Sequence, residues 1–175
     1  MKIAVTGAHI TGKTTLVEEL LEALPDYVSK AEAYYELEEA GHVFSEIPGL
    51  DEYLLLLEHS ISQVSTSGDN VIFDRCPIDM LAYIQAVSEY DNFDIRSMYQ
   101  RVQQVMTEID LLIFVAIENP DRIACQESDL PELRERVNEI LSEWIWDFNT
   151  DVVEVSGSLE TRINQVVEHI AIQNS

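Results

Sequence analysis

Apolar residues in this chain fall into short continuous runs separated by longer stretches in which they recur every three or four positions. The runs are Ile3 to Val5, Val71 to Phe73, Leu111 to Ile117 and Val152 to Val155, with lengths that fit strands, and Tyr27 to Lys30 adds a short extended piece that leads into Glu32. Between them the helical period appears in Leu16, Val17, Leu20, Leu21 and Leu24, ending near Pro25. It appears again in AEAYYELEEAG, where Gly41 reads as a stop, and in Asp51 to Thr66. Ile78, Leu81 and Ala82 share this spacing, as do Ile95, Met98, Val102, Val105 and Met106. A helix carrying Leu133, Val137, Ile140, Leu141, Trp144, Ile145 and Phe148 follows, and a last one carries Leu159, Ile163, Val166, Val167 and Ile170. Trp144 falls in the apolar stripe of its helix and reads as core, whereas Trp146 falls off it. Ser67 to Asn70 is a turn, and the polar stretch from Glu118 to Pro131 reads as a mobile loop.

Strands alternating with helices predict an α/β fold of three layers, α/β/α, with a mostly parallel sheet covered on both faces. Right-handed crossovers then bring every strand's C-terminal tip to one edge. No internal repeat or low-complexity linker interrupts the pattern, so residues 1–175 read as one domain.

Composition changes the picture only through charge. With 33 acidic residues against 10 basic, the formal charge is −23, which argues against a nucleic-acid partner tracked through its phosphates. An anionic nucleotide must instead be drawn in by a local site and a metal. No apolar run approaches a membrane span and no secretory h-region precedes Gly7, so a cytoplasmic protein with no membrane partner is expected. Cys76 and Cys125 lack metal-ligand spacing and read as reduced thiols.

The candidate chemistry lies at the strand tips. Gly7-Ala8-His9-Ile10-Thr11-Gly12-Lys13-Thr14 fits the phosphate-binding loop G-x-x-x-x-G-K-[ST], with a strand before it and a helix that Lys13 opens after it, and Thr15 joins the loop residues as a candidate nucleotide contact. Gly7 and Gly12 let the backbone turn its N–H groups onto a triphosphate, Lys13 faces the β- and γ-phosphates, and Thr14 holds Mg²⁺. His9 occupies a variable position, where a solvated or structural side chain is the simpler reading. Glu32 follows strand two, and Asp74 and Arg75 end strand three, where a second carboxylate associated with Mg²⁺ belongs. Arg122 follows strand four and Gly157 strand five.

Together, GAHITGKTTL, Asp74-Arg75, the arginine-bearing segment around Leu133 and VSGSLETR resemble the nucleoside and nucleotide kinase branch of the P-loop NTPases. The chain is similar in particular to small bacterial and archaeal AAA-type ATPases and to kinases like the ribosylnicotinamide kinase domain. The resemblance implies a five-stranded parallel sheet in the order 2-3-1-4-5, ATP and Mg²⁺, and a lid near residues 118–136. It further implies that Asp74 sits beside Mg²⁺ and that Arg75 reaches the acceptor or the transferring phosphate. Arg122 and Arg134 or Arg136 would close over the γ-phosphate, and Gly157 would form the adenine-side loop. Arg162 reads equally as a surface residue, and Gln63 as a candidate reader of a base edge.

Glu32 bears on the acceptor. A hydroxyl attacking phosphorus benefits from a carboxylate base, whereas a monophosphate is already anionic and would be repelled by one. The expected activity is thus Mg²⁺–ATP-dependent phosphorylation of a nucleoside-like small molecule. A nucleoside monophosphate kinase and a regulatory ATP-binding module are the alternatives, and a homodimer is left open. A GTPase is disfavoured by the missing N-K-x-D. A mechanical ATPase is disfavoured because Arg75 stands where a water-activating glutamate would follow the strand-end aspartate.

Overall fold

The computed structural model describes residues 1–88 and 93–173. Five parallel strands, β1 (Lys2–Thr6), β2 (Val28–Lys30), β3 (Val71–Asp74), β4 (Leu111–Phe114) and β5 (Asp151–Glu154), form one sheet in the order β2-β3-β1-β4-β5. This is the order 2-3-1-4-5 that the resemblance implied. Among the described residues, seven α-helices connect and close it: α1 (Lys13–Ala23), α2 (Ala33–Glu39), α3 (Leu50–Thr66), α4 (Pro77–Ser88), α5 (Arg96–Met106), α6 (Pro131–Trp144) and α7 (Leu159–Gln173).

The central strands are apolar on both faces because both faces are covered. Successive side chains of a strand point to opposite sides. Ile3, Val5, Ile72, Leu111 and Ile113 accordingly pack with Leu16, Leu20, Val166 and Ile170 of α1 and α7. Ala4, Val71, Phe73, Leu112 and Phe114 pack on the other face with residues of α3, α4, α5 and α6. Burying these side chains is the main term holding the layers together, at about 25 cal/mol per Å² of apolar surface.

Differences from the sequence expectation lie at element ends. Of the run Leu111 to Ile117, only Leu111–Phe114 pair as strand, because β1 turns away at Gly7 and leaves Val115 N–H to close the ladder on Thr6 O at 2.9 Å. The helix read through Phe148 stops at Trp144, although Ile145 and Phe148 remain buried. Gly41 ends α2 as expected, with a φ of 96° and His42 N–H returning to Leu37 O at 2.9 Å. Trp144 packs edge-on against Tyr99, and Trp146 is exposed. The stretch from 118 to 130 holds one short 3₁₀ turn, Glu127–Asp129. Among the described residues, no helix is long and apolar enough to cross a membrane.

Candidate active site

The C-terminal edge of the sheet gathers the candidate residues. Gly7 (φ 151°) and Gly12 (φ 85°) bracket the loop between β1 and α1. A Cβ on Gly7 would lie 2.4 Å from Val115 O, so the loop leaves β1 through a gap only glycine fits. Ile10 lies inside the turn at a φ of 56°, an uncommon conformation for a β-branched residue.

Lys13 opens α1 and is buried, with Nζ donating to Ala8 O. Burial, reinforced by the charge of Arg75, lowers its ammonium to a pKa of about 7, against the pull of Asp79, Glu32 and Asp74. Thr14 Oγ1–H donates to Asp74 Oδ2 at 2.6 Å. The second oxygen, Asp74 Oδ1, is buried without a hydrogen-bond partner, and burial raises this carboxyl above its ordinary range although the Thr14 bond opposes it. A hydroxyl and a carboxylate with an unspent oxygen, beside a phosphate loop, fit Mg²⁺, which takes few protein oxygens and fills its octahedron with water and phosphate. Among the described residues no group of three or more His, Cys, Asp or Glu could hold a metal ion by itself.

On one side of the loop, His9, Glu32, Tyr53, Arg75 and Tyr83 line a cleft of about 210 Å³ whose far wall is Ser128 to Leu130. Glu32 stands at the N-cap position of α2, and its carboxylate, which makes no capping bond, forms an ion pair with Arg75 Nε. Arg75 is buried at a φ of 73°. Its Nη1 donates to Gly7 O at 3.0 Å, and its guanidinium lies 5.5 Å from the centroid of the Tyr83 ring. Tyr53 of α3 and Tyr83 of α4 stack at 5.1 Å. Both rings border the cleft while packing on each other. His9 backbone N–H donates to Tyr83 Oη at 3.0 Å, and its Nε2 meets Asp129 O at 2.6 Å. A carbonyl only accepts, so Nε2 carries the proton, and Nδ1 accepts from the Tyr83 hydroxyl at 2.8 Å. His9 is therefore a structural tie between loop, α4 and the far wall.

On the other side, Gly12, Thr15, Arg122, Ile123, Gly157 and Arg162 line a second cleft of about 240 Å³. Glu118 organises it. Its Oε1 accepts from Gly157 N–H and Arg162 Nη2, both at 2.8 Å, and its Oε2 pairs with Arg122 Nε at 2.6 Å. Burial alone would raise this carboxyl, but Arg162, Arg122 and the Gly157 N–H outweigh it and hold it at about 2.

The structure thus brings Lys13, Thr14, Asp74, Arg75 and Glu32 together and sets Arg122 and Gly157 on the second cleft. Arg134 is buried at the start of α6 with every guanidinium nitrogen engaged, by His9 O, Ile10 O and Asp121. Arg136, two positions on, pairs with Glu139 at 3.2 Å. Arg162 is buried rather than superficial. Gln63 ties α3 to Ala31 O at 2.9 Å. Cys76 and Cys125 are free thiols.

Sequence reasoning missed Asp79, which is fully buried and accepts from Gly7 N–H at 3.0 Å and Cys76 N–H at 2.9 Å. An acid at the third position of a helix opened by Pro77 was the available signal. It also missed Tyr53, Tyr83, Glu118 and Asp121. Tyr83 stands four residues after Asp79 on α4, so the spacing that places both on one face was legible.

A G-x-x-x-x-G-K-[ST] loop at the C-terminal edge of a 2-3-1-4-5 parallel sheet, flanked by two clefts, is the P-loop NTPase fold. The chain belongs to the AAA domain family, whose sequence model matches residues 2–162. Among solved structures it is similar to the deoxyadenosine kinase from M. mycoides with bound dATP. That chain is 19% identical with a TM-score of 0.65, and the match covers 98% of this chain and 100% of that one. It is similar to a NadR protein in complex with NR (21% identity, TM-score 0.66, 97% of this chain and 51% of that one). It is also similar to the thymidylate kinase from Candida albicans (17% identity, TM-score 0.63, 99% and 92%). At such identities the likeness is one of fold. No curated protein matches the chain.

Proposed function

We propose that the protein is a Mg²⁺–ATP-dependent phosphotransferase that phosphorylates a hydroxyl of a nucleoside-like small molecule. The observation that carries this reading is the Glu32–Arg75 pair on the wall of an aromatic cleft adjoining the phosphate loop. The solved structures similar in fold include a deoxyadenosine kinase, named for a nucleoside, which supports this reading, and a thymidylate kinase, named for a monophosphate, which belongs with the alternative.

In this reading the adenine side of ATP enters the cleft between Arg122 and Gly157, and its phosphates follow the loop to Lys13. Thr14 and Asp74 would hold Mg²⁺, which neutralises phosphate charge when bound. The acceptor's ring lies against Tyr53 and Tyr83, and its hydroxyl meets Glu32. Glu32 takes the hydroxyl proton as the oxygen attacks the γ-phosphorus, and ADP leaves with the bridging electrons. Lys13 and the loop N–H groups stabilise the charge that develops on the transferring group. Arg75 orients Glu32.

A monophosphate acceptor fits less well. Among the described residues lining the acceptor cleft, Arg75 is the one guanidinium, and Glu32 and Gly7 O already engage it. The overall charge of −23 supports a small-molecule rather than a nucleic-acid partner. The cytoplasm, where both thiols stay reduced, is the compartment this reading implies.

The test is ADP release from Mg²⁺–ATP across a panel of nucleosides, pyridine ribosides and nucleoside monophosphates, with Lys13→Ala as the blank. Release dependent on a nucleoside, and reduced 10²-fold or more by Glu32→Gln, is the expected outcome. Release triggered by monophosphates alone, or unaffected by Glu32→Gln, would overturn the role of the base. ATP binding without turnover on any acceptor would favour a regulatory module.

A further inference from the structure

Five successive carbonyls of the phosphate loop each accept a hydrogen bond from a cationic side chain. Arg75 serves Gly7 O, Lys13 serves Ala8 O, Arg134 serves both His9 O and Ile10 O at 2.9 Å, and Arg162 serves Thr11 O at 2.8 Å. Arg134 comes from α6 and Arg162 from α7, and both are buried. Each is held from behind by a carboxylate of one short segment. Asp121 takes Arg134 through two bonds, at 2.6 and 3.2 Å, and Glu118 takes Arg162 at 2.8 Å.

A trans peptide is planar, with its C=O and the following N–H on opposite sides. Fixing the carbonyls of His9, Ile10 and Thr11 against the two guanidiniums therefore turns the N–H groups of Ile10, Thr11 and Gly12 the other way. Arg134 also bonds the carbonyls on both sides of Ile10, the residue held at a φ of 56°. An uncommon backbone state persists only where its surroundings over-determine it, and these two bonds do so. An unpaired buried carbonyl costs free energy, and a charge-assisted bond is the stronger way to satisfy it.

We propose that Arg134 and Arg162 are positioning residues of the nucleotide site, acting on the phosphates through the loop backbone they hold and not by touching them. The proposal rests on the reading of the loop as a nucleotide site. It replaces, for Arg134, the expectation of an arginine closing over the γ-phosphate.

The two roles separate when ADP and ATP are compared. A backbone brace serves the β-phosphate that both nucleotides carry, whereas a γ-phosphate contact serves ATP alone. We would measure dissociation constants of both nucleotides with Mg²⁺ by calorimetry, for the wild type, Arg134→Met, Arg134→Lys and Arg162→Met, well below each variant's melting temperature. The expected result is a loss of tenfold or more in each Met variant, by the same factor for ADP and ATP. Arg134→Lys, which keeps the charge but cannot reach both carbonyls and Asp121 together, should lose by a smaller factor that is again equal for the two.

A loss confined to ATP overturns the proposal in favour of a γ-phosphate contact. A lowered melting temperature with both affinities unchanged overturns it in favour of a merely structural role. Should Arg134→Met not fold, the ratio of ADP to ATP loss in Arg134→Lys decides by the same criteria. Failure of the wild type to bind either nucleotide would sink this proposal together with the nucleotide reading. Binding of both without phosphorylation of any acceptor would sink only the proposed reaction.

Discussion

Gly7 and Gly41 both have positive φ, and their surroundings make them different mutations. Around Gly41 nothing lies within 4 Å of an added Cβ, so Gly41→Ala should cost about 1 kcal/mol of left-handed backbone strain and leave nucleotide affinity unchanged. At Gly7 the new methyl meets Val115 O at 2.4 Å, a backbone atom that cannot swing aside. Gly7→Ala should therefore lose nucleotide binding and more stability than Gly41→Ala, read from paired thermal melts and ADP titrations. His9 supplies a residue-level pH test. Burial, with Arg75, Lys13 and Arg134 nearby, lowers its imidazole below the ordinary 6.5, although the Asp129 carbonyl partly offsets this. The unfolded chain then binds the proton more readily, so the stability linked to His9 is complete above pH 6.5 and declines as pH falls below it. An NMR titration should place the His9 resonance below 6.5, and His9→Gln should flatten the fall in melting temperature between pH 7 and 5.

At the scale of elements, the strands and helices were legible because buried strands and one-sided helices leave different periods in the chain, as Ile3 to Val5 and Leu133 to Phe148 show. Their ends were less legible. The apolar run Leu111 to Ile117 does not reveal that pairing stops at Phe114, since that depends on where a neighbouring strand turns away. The loop residues and the Asp74 tip could be read from a motif and a strand end. Arg162 and Glu118 could not. Their meeting joins the end of β4 to α7 across 44 residues, and no local pattern encodes it. This connection makes its own prediction. Glu118 has its pKa lowered from 4.5 to about 2, so the stability it contributes is present above pH 4.5 and lost as pH falls towards 2. Glu118→Gln should lower the melting temperature at pH 7 and make the acid limb between pH 4.5 and 2 shallower.

For the whole molecule, charge is distributed against the average. Of ten basic residues, Lys13, Arg75, Arg122, Arg134 and Arg162 line or brace the two clefts, while the net charge stays at −23. An excess of like charge destabilises a compact state by self-repulsion, and salt screens it over about 10 Å at 0.1 M. Raising sodium chloride from 20 to 500 mM should raise the melting temperature. An unchanged or lower value would mean that local ion pairs, such as Arg75 with Glu32, outweigh the global repulsion. The bracing of the loop also has a consequence for synthesis. The motif is complete at residue 14, yet its carbonyls wait for side chains at 75, 134 and 162. A chain growing from its N-terminus therefore displays the whole signature long before it owns a finished site. Ribosome-bound or truncated products ending before α7 carry the motif without the means to hold it in shape.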